Sequence, residues 1–160
     1  MMDARFEEAP FSDQPLKLRA ETAEDLEVVS ALVQDAVCKT GDIHWMPRSR
    51  RLVLILHRFR WEDRAEAERQ KRPYERVQSA LTIEDATALR VRGIDQAAPL
   101  GVQAMLALGF EATEDGAGVL RVTFADDAEI SAQVECLRLS LSDLSQPWEA
   151  QTQRPPEHPD

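Results

Sequence analysis

Glycine is scarce in this chain, with six among 160 residues. None of them belongs to a G-x-G-x-x-G turn or a Walker loop, and no G-x-S-x-G, H-E-x-x-H or EF-hand pattern occurs. The common phosphate cradles, serine elbows and metal-binding helices are therefore excluded as motifs. Cysteine occurs twice, at Cys38 and Cys136, without CxxC spacing or a neighbouring histidine. That fits neither a disulfide framework nor a zinc site and predicts two free, buried thiols. No apolar run is long enough to span a bilayer. Residues 1–15 contain Asp3, Glu7 and Glu8 but no apolar stretch of the kind a secretory signal needs. A cytoplasmic protein with no membrane partner is the expectation. Basic residues are also short, 19 against 29 acidic, for a net charge of −10. Such a surface disfavours nucleic acid as a general partner.

What is present suffices for one core. At 160 residues and 43% hydrophobic content, one globular domain over residues 16–148 is expected, with a flexible tail at 1–15 and a disordered, proline-rich tail at 149–160. Its centre is the stretch from Arg50 to Glu62. Five large aliphatics, Leu52 to Leu56, have no polar face, and the run then alternates, Phe59 and Trp61 against Arg58 and Arg60. Period two marks a strand, with Val53, Ile55, His57, Phe59 and Trp61 on one face and the leucines on the other. The arginines suggest that it ends half exposed.

Around it, Leu16–Ala20 alternates as a short strand. Thr22 and Asp25 then make a capping-box-like start to an amphipathic helix over Ala23–Cys38, carrying Leu26, Val29, Val33 and Val37. Residues 42–47 form a hairpin with the central strand through Arg48 and Ser49, and the charged stretch 62–74 reads as a solvated loop or a loose helical turn. Strands follow at 75–83, 87–94, 102–112, 119–124 and 128–133. Val134, Leu137, Leu141 and Leu144 recur at three, four and three, which predicts a C-terminal helix stopped by Pro147. The fold class is thus α+β, a mostly antiparallel sheet of about seven to eight strands. This count matches a pleckstrin-homology-like barrel with an N-terminal strand–helix addition and a C-terminal helix; an open sheet with both helices on one face is the alternative.

The segments Leu32–Val37, Arg50–Arg51 with His57–Glu62, Val134–Leu137 and Leu144–Trp148 resemble a family of short uncharacterised alphaproteobacterial proteins, a domain of unknown function. The resemblance implies a bacterial cytoplasmic source and about this length. It brings no activity, cofactor or catalytic residue with it.

Candidate chemistry is sparse. With the hairpin turn centred on Arg48 and Ser49, His44 faces Val53, and His57 lies about 13 Å along the strand, too far to share a metal. No metal site, cofactor or catalytic residue is assigned. Two functional classes remain. In the first, the chain is a non-enzymatic binding module. Between Arg48 and Arg76 stand ten basic and five acidic residues, so the tract is positive in an otherwise acidic protein. Arg48, Arg50, Arg51, Arg58 and Arg60 are then candidate contacts for a small anionic ligand or an acidic partner protein, unless they pair within their own fold. In the second, the chain is an enzyme with a pocket around His57, Trp61 and Glu62. The first is preferred, because catalytic sites leave clustered signals and here they are scattered. The oligomeric state is left open.

Overall fold

A computed structural model describes residues 15–150. It contains strands β1 (Lys17–Ala20), β2 (Val37–Lys39), β3 (Ile43–Met46), β4 (Arg51–Phe59), β5 (Glu75–Ile83), β6 (Ala86–Arg92), β7 (Val102–Ala112), β8 (Gly118–Phe124), β9 (Glu129–Val134), β10 (Leu139–Asp143) and β11 (Trp148–Glu149), with helices α1 (Ala23–Val33) and α2 (Arg64–Gln70). The tails expected at 1–15 and 149–160 lie outside the described residues except at their inner ends. There, Glu149 pairs with Glu75 in β11 and the Ala150 amide donates to the Tyr74 carbonyl.

Every pairing is antiparallel. The strand order is β1-β10-β5-β4-β2-β7-β8-β9-β6, with β3 added to β4 and β11 to β5. β7 belongs to two sheets. Its first residues, Val102 to Ala104, pair with β2, and from Met105 onward it pairs with β8, with an irregularity between Met105 and Ala107. Bulges of this kind bend a strand, and here the bend carries the chain from one sheet to the next. α1 packs across β7, β1 and β4. It buries Leu26, Val29, Leu32 and Val33, and the Ser30 hydroxyl accepts from the Leu108 amide at 3.0 Å.

The antiparallel α+β expectation holds, and β5 and β7 begin and end where the alternation placed them. The β3–β4 hairpin has the expected register, His44 opposite Val53. Three expectations fail. α1 stops at Val33 rather than Cys38, because Asp35 takes a left-handed conformation (φ 63°) and the next residues pair with β7 as β2. The strand count is eleven among the described residues. The C-terminal helix is strand β10, and with it goes the terminal cap of a pleckstrin-homology-like barrel. Leu137, Leu139 and Leu141 also recur at two, and the slot between β1 and β5 selects that period by burying Leu139 and Leu141.

The central strand departs from expectation at its end, where the arginine side was expected to be exposed. Leu52, Leu54 and Leu56 are wholly buried, and so is Arg58, which shares their face. Each buried leucine contributes about 1.5–3 kcal/mol, whereas a desolvated guanidinium costs several kcal/mol unless it is paired. The other face is half-buried at Val53 and Ile55 and exposed at His57. It closes again at Phe59, whose ring meets those of Trp61 and Tyr74 at 4.8 and 5.6 Å.

Both cysteines are free, but only Cys38 is buried. Burial, reinforced by Asp42, pushes its thiol up to about 12. Cys136 is exposed in the β9–β10 connection, not in a helix, and its hydrogen bond to Asp85 raises its pKa as well. Reaction with Ellman's reagent at mildly alkaline pH should therefore titrate one thiol in the native protein and two after unfolding, and Cys136→Ser should leave none in the native state. Two rapidly reacting native thiols would contradict the buried position of Cys38.

Candidate anion-binding face

Most of the hairpin arginines are held within the fold. Arg50 pairs with Glu135 at 2.5 Å and Arg51 with Glu84 at 2.9 Å. Arg60 pairs with Glu75, and the neighbouring tract is self-neutralised by Arg64–Glu68, Arg69–Glu66 and a two-pronged Arg72–Asp63 pair at 2.6 and 2.7 Å. Arg48, exposed in the hairpin turn, has no ion pair among the described residues.

Arg58 is the most enclosed of the set. Its two terminal nitrogens donate to the two oxygens of Glu62, each at 2.8 Å, and Nη2 also reaches Asp143 at 3.0 Å. Its Nε donates to the Ser79 hydroxyl at 3.0 Å, and that hydroxyl donates to Asp143 at 2.7 Å. Burial alone would lower the Arg58 pKa, but the hydrogen bonds and charges of Glu62 and Asp143 outweigh it and the net shift is upward. Such a group stays charged and has no donor facing solvent, so it is a structural ion cluster and not a surface contact.

The residues of the catalytic alternative do not converge. Both Glu62 oxygens are engaged by Arg58, the Trp61 indole N–H donates to the Gln34 carbonyl at 3.1 Å, and exposed His57 meets the Trp148 ring edge-on at 5.4 Å. No group of three or more His, Cys, Asp or Glu arranged to hold a metal occurs among the described residues.

A different cationic surface emerges on the outer face of β8, β9 and β6, over a concavity of about 830 Å³. The registers define it. Arg90 of β6 lies opposite Ser131 of β9, Ser131 opposite Arg121 of β8, and Arg121 opposite Gly109 of β7. The flanking rows are Ala88, Gln133, Val119 and Glu111 on one side, and Arg92, Glu129, Thr123 and Ala107 on the other. Small residues at the margins keep the floor low, and a Cβ on Gly109 would meet nothing within 4 Å. Two strand spacings separate Arg90 from Arg121, about 10 Å at the backbone, so long side chains can converge above Ser131.

The carboxylates here hold the arginines loosely. Arg121 stands 3.6 Å from Glu111 and 3.9 Å from Glu129, with a 3.4 Å hydrogen bond to Ser131. Among the described residues Arg92 reaches only the Asp127 carbonyl, at 3.4 Å. Arg90 is exposed and has no hydrogen-bond or ion-pair partner among the described residues. In the sequence these arginines interrupt the apolar alternation of β6 and β8, but the pairing of β6 with β9, which brings them together, is not visible there.

No curated protein and no solved structure matches this chain. A family profile described as a protein of unknown function, DUF2948, matches residues 16–158. That span covers nearly the whole chain, all three arginines of the concave face and the Arg58 cluster included, and the protein belongs to this family.

Proposed function

We propose that the protein is a non-enzymatic binding module that takes an anionic group, carried by a small ligand or an acidic protein segment, on the concave face of β6, β9 and β8. The observation that carries this reading is Arg90, an arginine with no partner among the described residues, set in one row with Ser131 and Arg121. Guanidinium forks spaced around a hydroxyl match the donor pattern that carboxylates and phosphates accept. The hairpin of the original expectation contributes Arg48 at most, since Arg50, Arg51, Arg58 and Arg60 are occupied. No observation favours the catalytic alternative at His57, Trp61 and Glu62.

Titration calorimetry with inorganic pyrophosphate and with a glutamate-rich peptide tests the reading and separates the two carriers. At low salt at least one probe should bind, weakening as ionic strength rises. Arg90→Ala should reduce its affinity about tenfold, the worth of one charge-assisted hydrogen bond. Glu129→Gln should tighten binding, because it removes an internal competitor for Arg121. If neither probe binds at low salt, or if the Arg90→Ala/Arg121→Ala protein binds as wild type does, the reading is wrong.

A further inference from the structure

The arginine face continues over the edge of β6 into a second cavity of about 570 Å³. It opens between β3 and β6, which hydrogen-bond to β4 and β9 respectively but not to each other. One end is closed where the Ala86 amide donates to the Arg50 carbonyl at 2.9 Å. The other is closed where the Thr40 and Gly41 amides donate to the Gly101 and Pro99 carbonyls at 2.8 and 2.9 Å. Gly41 keeps that closure tight, since a Cβ there would stand 3.0 Å from the Pro99 oxygen. Pinned at both ends, the cavity suits a compact group rather than an extended peptide.

Its walls are mixed, with Thr40 and Gln96 polar and the remaining side chains mostly apolar. Ile43 and Trp45 form one side, Leu89 and Val91 the other, with Ile94 and buried Ile130 between them. A cavity of this size with an indole wall is suited to a ring. Leu89 and Val91 also line the arginine face, and Arg90 and Arg92 alternate with them along β6. A group seated in the cavity is thus one strand's width from two guanidiniums.

Resting on the anion-binding reading above, we infer that the ligand is an amphipathic anion: an apolar ring seated against Trp45 and Val91, joined to a carboxylate, phosphate or sulfonate held by Arg90 and Arg92. The charge of the arginines fixes the sign of the head group, and the volume of the cavity limits the size of the apolar part.

Anilinonaphthalene sulfonate, a ring system bearing a sulfonate, is the probe, with uncharged N-phenylnaphthylamine as its counterpart. Both dyes should bind wild-type protein saturably, read by fluorescence. Arg90→Ala/Arg92→Ala should weaken the sulfonate dye at least about tenfold and leave the neutral dye unchanged. Trp45→Ala, in the second cavity and outside the arginine face, should weaken both dyes about tenfold and leave pyrophosphate binding as it was. If the arginine variant binds the sulfonate dye as wild type does, or if Trp45→Ala affects neither dye, the bridging ligand is refuted while the anion site stands. Dye binding with these dependences in a protein that binds neither pyrophosphate nor the acidic peptide would instead overturn the simple-anion reading and keep the amphipathic one. Far-UV circular dichroism verifies that each variant is folded.

Discussion

Asp143→Ala is expected to destabilise the protein by about 3–5 kcal/mol, the cost of stripping one partner from a buried ion cluster. For a domain whose whole stability is about 5–15 kcal/mol, that is a large share. The carboxylate joins three strands: it accepts from Arg58 of β4 and Ser79 of β5, and from the Leu16 amide at 3.0 Å at the entry to β1. Its removal leaves a buried guanidinium with Glu62 as its one remaining carboxylate and takes the side-chain acceptor from the Leu16 amide. Urea midpoints for Asp143→Ala, Arg58→Met and the double variant distinguish a cluster from independent contacts. The double variant should lose clearly less than the sum of the singles, since removing both members leaves no uncompensated charge. Salt should change these differences little, because the cluster is enclosed. A loss below about 1 kcal/mol in Asp143→Ala, typical of exposed pairs, would show that the cluster is not what holds β1 in place.

Gly118→Ala should lower stability by about 3 kcal/mol, the upper end of what overpacking costs, or about 6–12 °C in Tm at this chain length. An added Cβ would lie 2.5 Å from the Glu111 carbonyl oxygen and 2.6 Å from the Phe110 ring. The ring can turn aside, whereas the carbonyl is fixed by the β7–β8 pairing. Phe110→Leu in the same chain should recover part of the loss and leave the backbone contribution. Gly109→Ala is the control: with open space around that site, it should be neutral or slightly stabilising, because glycine costs about 0.5–1 kcal/mol within a strand. Equal melting of the two alanine variants would refute the packing of Phe110 over Gly118.

The parts of this fold that the sequence made legible are those in which a turn and an alternation agree locally. The β3–β4 hairpin is the best case: Pro47 to Arg50 form the turn, and the positions beside it fix His44 opposite Val53. The residues after β9 satisfy two periods at once, Val134-Leu137-Leu141 for a helix and Leu137-Leu139-Leu141 for a strand. Only the vacancy between β1 and β5 decides between them. The burial of Arg58 had a visible signal, since its parity along the strand matches that of Leu52, Leu54 and Leu56. The usual preference of arginine for solvent argued the other way, and Asp143, which reverses that preference, lies 85 residues along the chain. The arginine face was least accessible. Its charges sit on strands that neighbour one another only through the non-sequential order β8-β9-β6, and a local charge count directs attention to the hairpin, where carboxylates are already in place.

Residues 17–20 hydrogen-bond to residues 139–142, which places a constraint on biosynthesis. At ordinary translation speeds of about 5–20 residues per second, β1 emerges from the ribosome several seconds before β10, its one strand partner among the described residues, has been made. During that interval α1 and the apolar rows of β4 and β5 are outside the tunnel, while the Arg58 guanidinium still lacks Asp143. The sheet edge can be sealed only after residues 139–142 have been made, and pairing over so long a separation is intrinsically slow. The nascent chain therefore presents an incomplete sheet edge, open along both β1 and β5, for as long as β10 is unmade.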